Sequence, residues 1–111
     1  MAAYVNEREL RMSEYDSRQQ KLMLEKIHEF EAGKLQLITL IDDLAGLLDC
    51  LEATDQSWKN EFRAEWWTLE QVYAVALDRG HKTLSEENQR FVTEALANMK
   101  GLLERFQTPK D

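Results

Sequence analysis

Few residues in this chain could do chemistry, and their spacing decides which chemistry is open to them. Glu25 and His28 have the Glu-x-x-His spacing by which di-iron bundles aim two ligands at a core. A helix advances ~100° per residue, which sets Glu25 nearly opposite Ile27, on the water side. No second such motif supplies the remaining ligands. His81 follows Gly80 in a turn, far in sequence from His28 and on another element, so the two histidines make a poor transition-metal site. Cys50, the one cysteine, stands beside Asp49 and Glu52. Neighbouring acids raise a thiol's pKa and suppress thiolate, the opposite of what a reactive cysteine needs. It reads as a small, partly buried hydrophobe. A Gly-rich phosphate loop, a nucleophile elbow and a zinc-binding His-Glu-x-x-His are all missing from the sequence. The expectation is a protein with no catalytic residue, no metal and no cofactor.

The elements that would carry a binding function are easier to read. At 111 residues, with 43% apolar and 32% charged residues, the chain has the composition of one globular domain. One Pro and four Gly are too few to punctuate a many-stranded β-sandwich. No run approaches ~18 uninterrupted apolar residues. The start of the chain lacks the basic segment and apolar run of a secretory signal, and with a free thiol this favours the cytoplasm.

Helical periodicity then gives four segments. Between Ser13 and Ala32, Met23, Leu24, Ile27 and Phe30 share a face, and Gly33 follows as a residue free to take the left-handed conformation. From Leu35 to Ala53, a broad arc holds Leu37, Leu40, Ile41, Leu44, Leu47, Leu48 and Leu51. Thr54 and Asp55 offer an N-cap for a third helix reaching Arg79, with the stripe Trp58, Phe62, Trp66, Leu69, Val72, Tyr73, Ala76 and Leu77 and with Gly80 as its stop. Ser85 caps a fourth helix, with Leu84 placed as a hydrophobic staple and Glu86 and Glu87 opposing the helix dipole. Its buried face reads Phe91, Val92, Ala95, Leu96, Met99, Leu102, Leu103 and Phe106, with Pro109 beyond the end. Short connections make neighbouring helices antiparallel. The predicted fold is all-α: an up-down bundle of four main helices over residues 13–108, with residues 1–12 a flexible or helical extension.

Charge points toward partners. The formal net charge is −7, and the segment from Asp42 to Glu65 holds seven acids against Lys59 and Arg63, most of that excess. Such a surface repels a phosphate backbone and carries too few cations for an anionic bilayer, so nucleic acid and membrane are excluded as direct partners. The second helix turns Thr39, Asp42, Gly46, Asp49 and Ala53 outward, short and acidic residues where a merely solvating face would use stronger helix formers. Trp67 points ~100° away from Trp66. It is either covered, if its helix lies centrally, or an anchor at the surface. The candidate partner-binding residues are therefore Asp42, Asp49, Glu52, Asp55, Trp67 and Glu70.

The run Glu29-Phe30-Glu31-Ala32-Gly33-Lys34, the stretch from Asp43-Leu44 to Leu51-Glu52, and Trp58-Lys59-Asn60-Glu61-Phe62 resemble a recurrent kind of small bacterial helical protein. So do Trp66-Trp67-Thr68-Leu69-Glu70-Gln71-Val72-Tyr73-Ala74-Val75-Ala76-Leu77-Asp78 and the Leu84-Ser85 helix start. The pattern, over roughly 24–106, is similar to immunity proteins of contact-dependent growth inhibition and polymorphic toxin systems. That resemblance implies a cytoplasmic protein that binds and neutralises a cognate basic toxin domain, commonly a nuclease. It carries over no toxin-contacting residue. The competing expectation is a self-associating or adaptor bundle, with a homodimer as its simplest form. A small-ligand bundle with a cavity lined by the three Trp residues comes third.

Overall fold

The computed structural model describes the backbone of residues 7–80 and 84–107 and the side chains of 14–80 and 84–104. Four helices follow one another: α1 (Glu7–Glu31), α2 (Leu37–Asp49), α3 (Gln56–Asp78) and α4 (Glu86–Gln107). Among the described residues each packs on two neighbours in a ring, α1 on α2, α2 on α3, α3 on α4 and α4 back on α1, and the diagonal pairs do not meet. This is the all-α up-down bundle that the periodicity predicts. The helical part of the N-terminal extension begins at Glu7, and residues 1–6, His81 and Pro109 lie outside the described residues.

The turns form for local reasons. Gly33 has φ 79° and Gly80 φ 68°, the left-handed conformation that L side chains avoid. At the end of α1 the Lys34 amide donates to the Glu29 carbonyl (2.8 Å) and the Gly33 amide to Phe30 (3.0 Å), closing the helix in a Schellman pattern. The Asn88 amide donates to the Ser85 hydroxyl (3.1 Å), and Leu84 packs on the core as the staple requires. Asp55 occupies the N-cap of α3, but its carboxylate accepts from the Ser57 hydroxyl (2.8 Å) instead of a helix amide.

The core follows the periodic stripes: Met23 and Ile27 from α1, Leu40, Ile41, Leu44 and Leu48 from α2, Phe62 and Leu69 from α3, Leu96, Met99 and Leu103 from α4. Each fully buried aliphatic or aromatic side chain contributes about 1.5–3 kcal/mol of transfer free energy. Two tryptophans add direction to that packing. The Trp58 indole N–H donates to the Leu102 carbonyl (3.0 Å) and its ring stacks on Phe62, so it ties α3 to α4. The Trp66 indole N–H donates to the Ile41 carbonyl (2.8 Å), so it ties α3 to α2.

Three apolar positions depart from the stripes. Leu77 is 64% exposed, although it shares the α2-facing side of α3 with Trp66 and Tyr73. The Trp66–Ile41 bond fixes the register, and α2 starts only four residues before Ile41, so the last two turns of α3 run past it. Phe91 is 49% exposed because Val92, ~100° round the helix, takes the core position. The Phe106 side chain lies outside the described residues. Cys50 is exposed rather than partly buried: α2 ends at Asp49, a turn short of the expected end at Ala53, which leaves Cys50 at the C-cap.

Candidate functional site

The candidate surface is built on the seam where α3 meets α2. Trp66, held by the Ile41 carbonyl, fixes which faces of the two helices adjoin. Asp42 is the next residue after Ile41, so it lies level with Trp66 and Trp67, and it is exposed. Two turns on, Asp49 is exposed at the end of α2, with the Arg63 guanidinium 3.8 Å from its carboxylate. Trp67 is 53% exposed and thus stands on the surface rather than in the core. Its ring lies 6.0 Å from that of Trp66, tilted by 31°. Asn60, Arg63, Ala64, Trp66 and Trp67 line a shallow, mostly apolar trough of about 420 Å³. Glu70, one turn beyond Trp67 on the same helix, is half-buried.

Glu52 and Asp55 are exposed, but they belong to the α2–α3 loop at the end of the bundle. Twelve helical residues separate Asp55 from Trp67, ~18 Å along the axis. The predicted set is therefore divided, with Asp42, Asp49, Trp67 and Glu70 along the seam and the other two beyond its end. The charge is also tempered. Lys26 lies 3.4 Å from Asp43, and Arg63 beside Asp49 sits within the acidic row. Exposed pairs of this kind are worth about 0–1 kcal/mol and leave the carboxylates available to a competing cation.

Sequence reasoning missed the group that holds the loop. Asp16 is 4% exposed and Gln20 1%, both on α1 and facing inward. The Asp16 carboxylate accepts from the Glu52 amide (2.9 Å), the Ala53 amide (2.8 Å) and the Thr54 hydroxyl (2.6 Å). The Gln20 amide nitrogen donates to the Thr54 hydroxyl at 3.4 Å. The signal was present: counting back from Ile27 and Met23 by helical steps reaches Gln20 and Asp16, a polar continuation of an apolar stripe. Next to this latch the Tyr15 hydroxyl hydrogen-bonds the Cys50 sulfur. That bond, with some burial and the nearby negative groups of Cys50, Glu52 and Asp16, raises the Tyr15 pKa above its ordinary 10.

The other candidates for chemistry are scattered. Glu25 is exposed, and His28, also exposed, has Nδ1 3.5 Å from Glu31. Among the described residues no three or more His, Cys, Asp or Glu side chains are disposed to hold a metal ion. No described helix is long and apolar enough to cross a membrane. Trp58 is buried against Phe62 and takes no part in the trough formed by Trp66 and Trp67, so the three tryptophans do not line one cavity. No family model, curated protein or solved structure matches the chain.

Proposed function

We propose that this protein is a cytoplasmic immunity protein, which binds a cognate basic toxin domain, with a nuclease as the favoured class, and neutralises it by occlusion. The observation that carries the reading is the exposed Trp67, set in an apolar trough at the same level as the acidic row of α2. An amphipathic aromatic that a partner's pocket can cover is the kind of residue that dominates interface energies. Carboxylates around it steer a cationic partner and speed encounter more than they deepen affinity. Asp42 and Asp49 would stand in for substrate phosphates at the toxin's cleft, and Trp67 would supply the desolvated contact. The resemblance of the sequence pattern to immunity proteins supports the same conclusion. The protein's own side chains make and break no bond in this mechanism.

Stopped-flow association with a candidate basic toxin domain, taken from any toxin gene that adjoins this one, tests the proposal. Joint reversal, Asp42→Lys with Asp49→Lys, should slow association about tenfold at low salt, with the gap closing as salt rises. Unchanged rate and affinity would remove this face from the interaction. A self-associating or adaptor bundle is the second reading, favoured by the exposed Leu77 and Phe91. Sedimentation at micromolar concentration separates the two, because a stable homodimer supports self-association.

A further inference from the structure

We infer that the junction after α2 is a two-state element and that Asp16 of α1 selects its setting. In the latched setting the helix stops at Asp49 and the loop is held by α1. In the other, α2 continues through Ala53 and carries Glu52 onto its acidic face. The observation behind this is a conflict between local preference and long-range bonding. Leu51, Glu52 and Ala53 are strong helix formers, and Leu51 continues the arc of Leu44 and Leu48 at helical spacing. The Cys50 amide still bonds the Gly46 and Leu47 carbonyls (3.2 and 3.1 Å) and the Leu51 amide the Leu48 carbonyl (3.2 Å), a tightened last turn. With Glu52 and Ala53 the amides leave the helix, and both go to the Asp16 carboxylate, at 2.9 and 2.8 Å. The Lys59 ammonium covers the Leu51 carbonyl (3.3 Å).

Without that carboxylate, a further turn of α2 gives the two amides partners in the Leu48 and Asp49 carbonyls, four residues back. Leu51, 4% exposed when latched, keeps its place on the core face of the longer helix. Thr54 and Asp55 then form a two-residue connection, the short end of the range for antiparallel helix pairs. The Thr54 hydroxyl loses its bond to Asp16 and its contact with Gln20, so the latched setting is the ground state while Asp16 is in place. Glu52 follows Asp49 by three residues, ~60° round a helix and ~4.5 Å along it, so lengthening adds a carboxylate to the Asp42–Asp49 row. That consequence, control of the partner-facing surface from α1, rests on the proposed function. The existence of the two settings does not.

Backbone chemical shifts of the full chain, with no partner present, test the inference. In the unaltered protein the Cα shifts of Glu52 and Ala53 should be non-helical. In Asp16→Ala the shifts of Cys50, Leu51, Glu52 and Ala53 should move to helical values, with the Glu52 and Ala53 amides still protected from exchange. Adding Ala53→Gly should lower the lengthened population about fivefold, by the helix preference it removes. Asp16→Asn keeps the shape of the side chain, should show the same movement to a smaller degree, and serves if Asp16→Ala does not fold. Loop-like or random-coil shifts at Glu52 and Ala53 in both variants would overturn the inference, as would unfolding of both. Charge reversal at Asp42 and Asp49 leaves Asp16 and these amides in place, so failure of the seam and failure of the switch are read separately.

Discussion

The two ends of the bundle are closed in different ways. At the end where α2 passes into α3, a buried carboxylate from α1 gathers two backbone amides and a hydroxyl of the loop. At the opposite end α3 outruns α2, and Leu77 and Phe91 are left exposed. One end is fixed by a few directional bonds in a site largely shielded from water. At the other, among the described residues, α3 and α4 pack on each other and Leu84 packs on the core. A loop can be rigid without being apolar, provided that every polar group brought inside has a partner.

Three measurements sharpen that contrast. The largest effect is expected from Asp16→Ala. It strands the Glu52 and Ala53 amides and the Thr54 hydroxyl, and should cost about 3 kcal/mol in urea unfolding, given ~1–3 kcal/mol per unsatisfied buried group. A loss below 1 kcal/mol would mean that water replaces the carboxylate and that the latch is ornamental. At the other end, Leu77→Gln should change stability by no more than ~0.5 kcal/mol, as at an ordinary surface site. A greater loss would show that something covers that end. The smallest effect is on Tyr15. Its phenol should titrate above 10 by ultraviolet absorbance, and Cys50→Ala should bring it back toward that value. Because the folded-state pKa is raised, the associated stabilisation is present below pH 10 and fades as pH rises through the folded value.

Much of this was legible in the residues. Period alone located all four helices, and Gly33, Gly80 and Ser85 marked boundaries for reasons the backbone confirms. Helix length was less legible. The leucine arc of α2 continues to Leu51, but the helix ends at Asp49 because the Asp16 carboxylate, thirty-six residues away from Glu52, takes the loop amides out of helical bonding. Leu77 failed for a related reason: a stripe says which side of a helix is apolar, but not how far the neighbouring helix extends. Of the candidate site, the acids of α2 and Trp67 lie on one seam as their spacing suggests. Arg63 was counted only as a charge, and its place within the acidic row depends on a register that Trp66 sets through a backbone carbonyl.

The ring arrangement of the helices has a kinetic side. Three of its four seams join consecutive helices, so only the α1–α4 seam, with Lys100 on Glu31 at 2.7 Å, unites distant parts of the chain. Folding then needs a single long-range closure, which places the protein among low contact-order bundles that fold quickly. That late-closing seam is also the natural first opening, a local separation of α1 from α4 that leaves the α2–α3 loop held by Asp16.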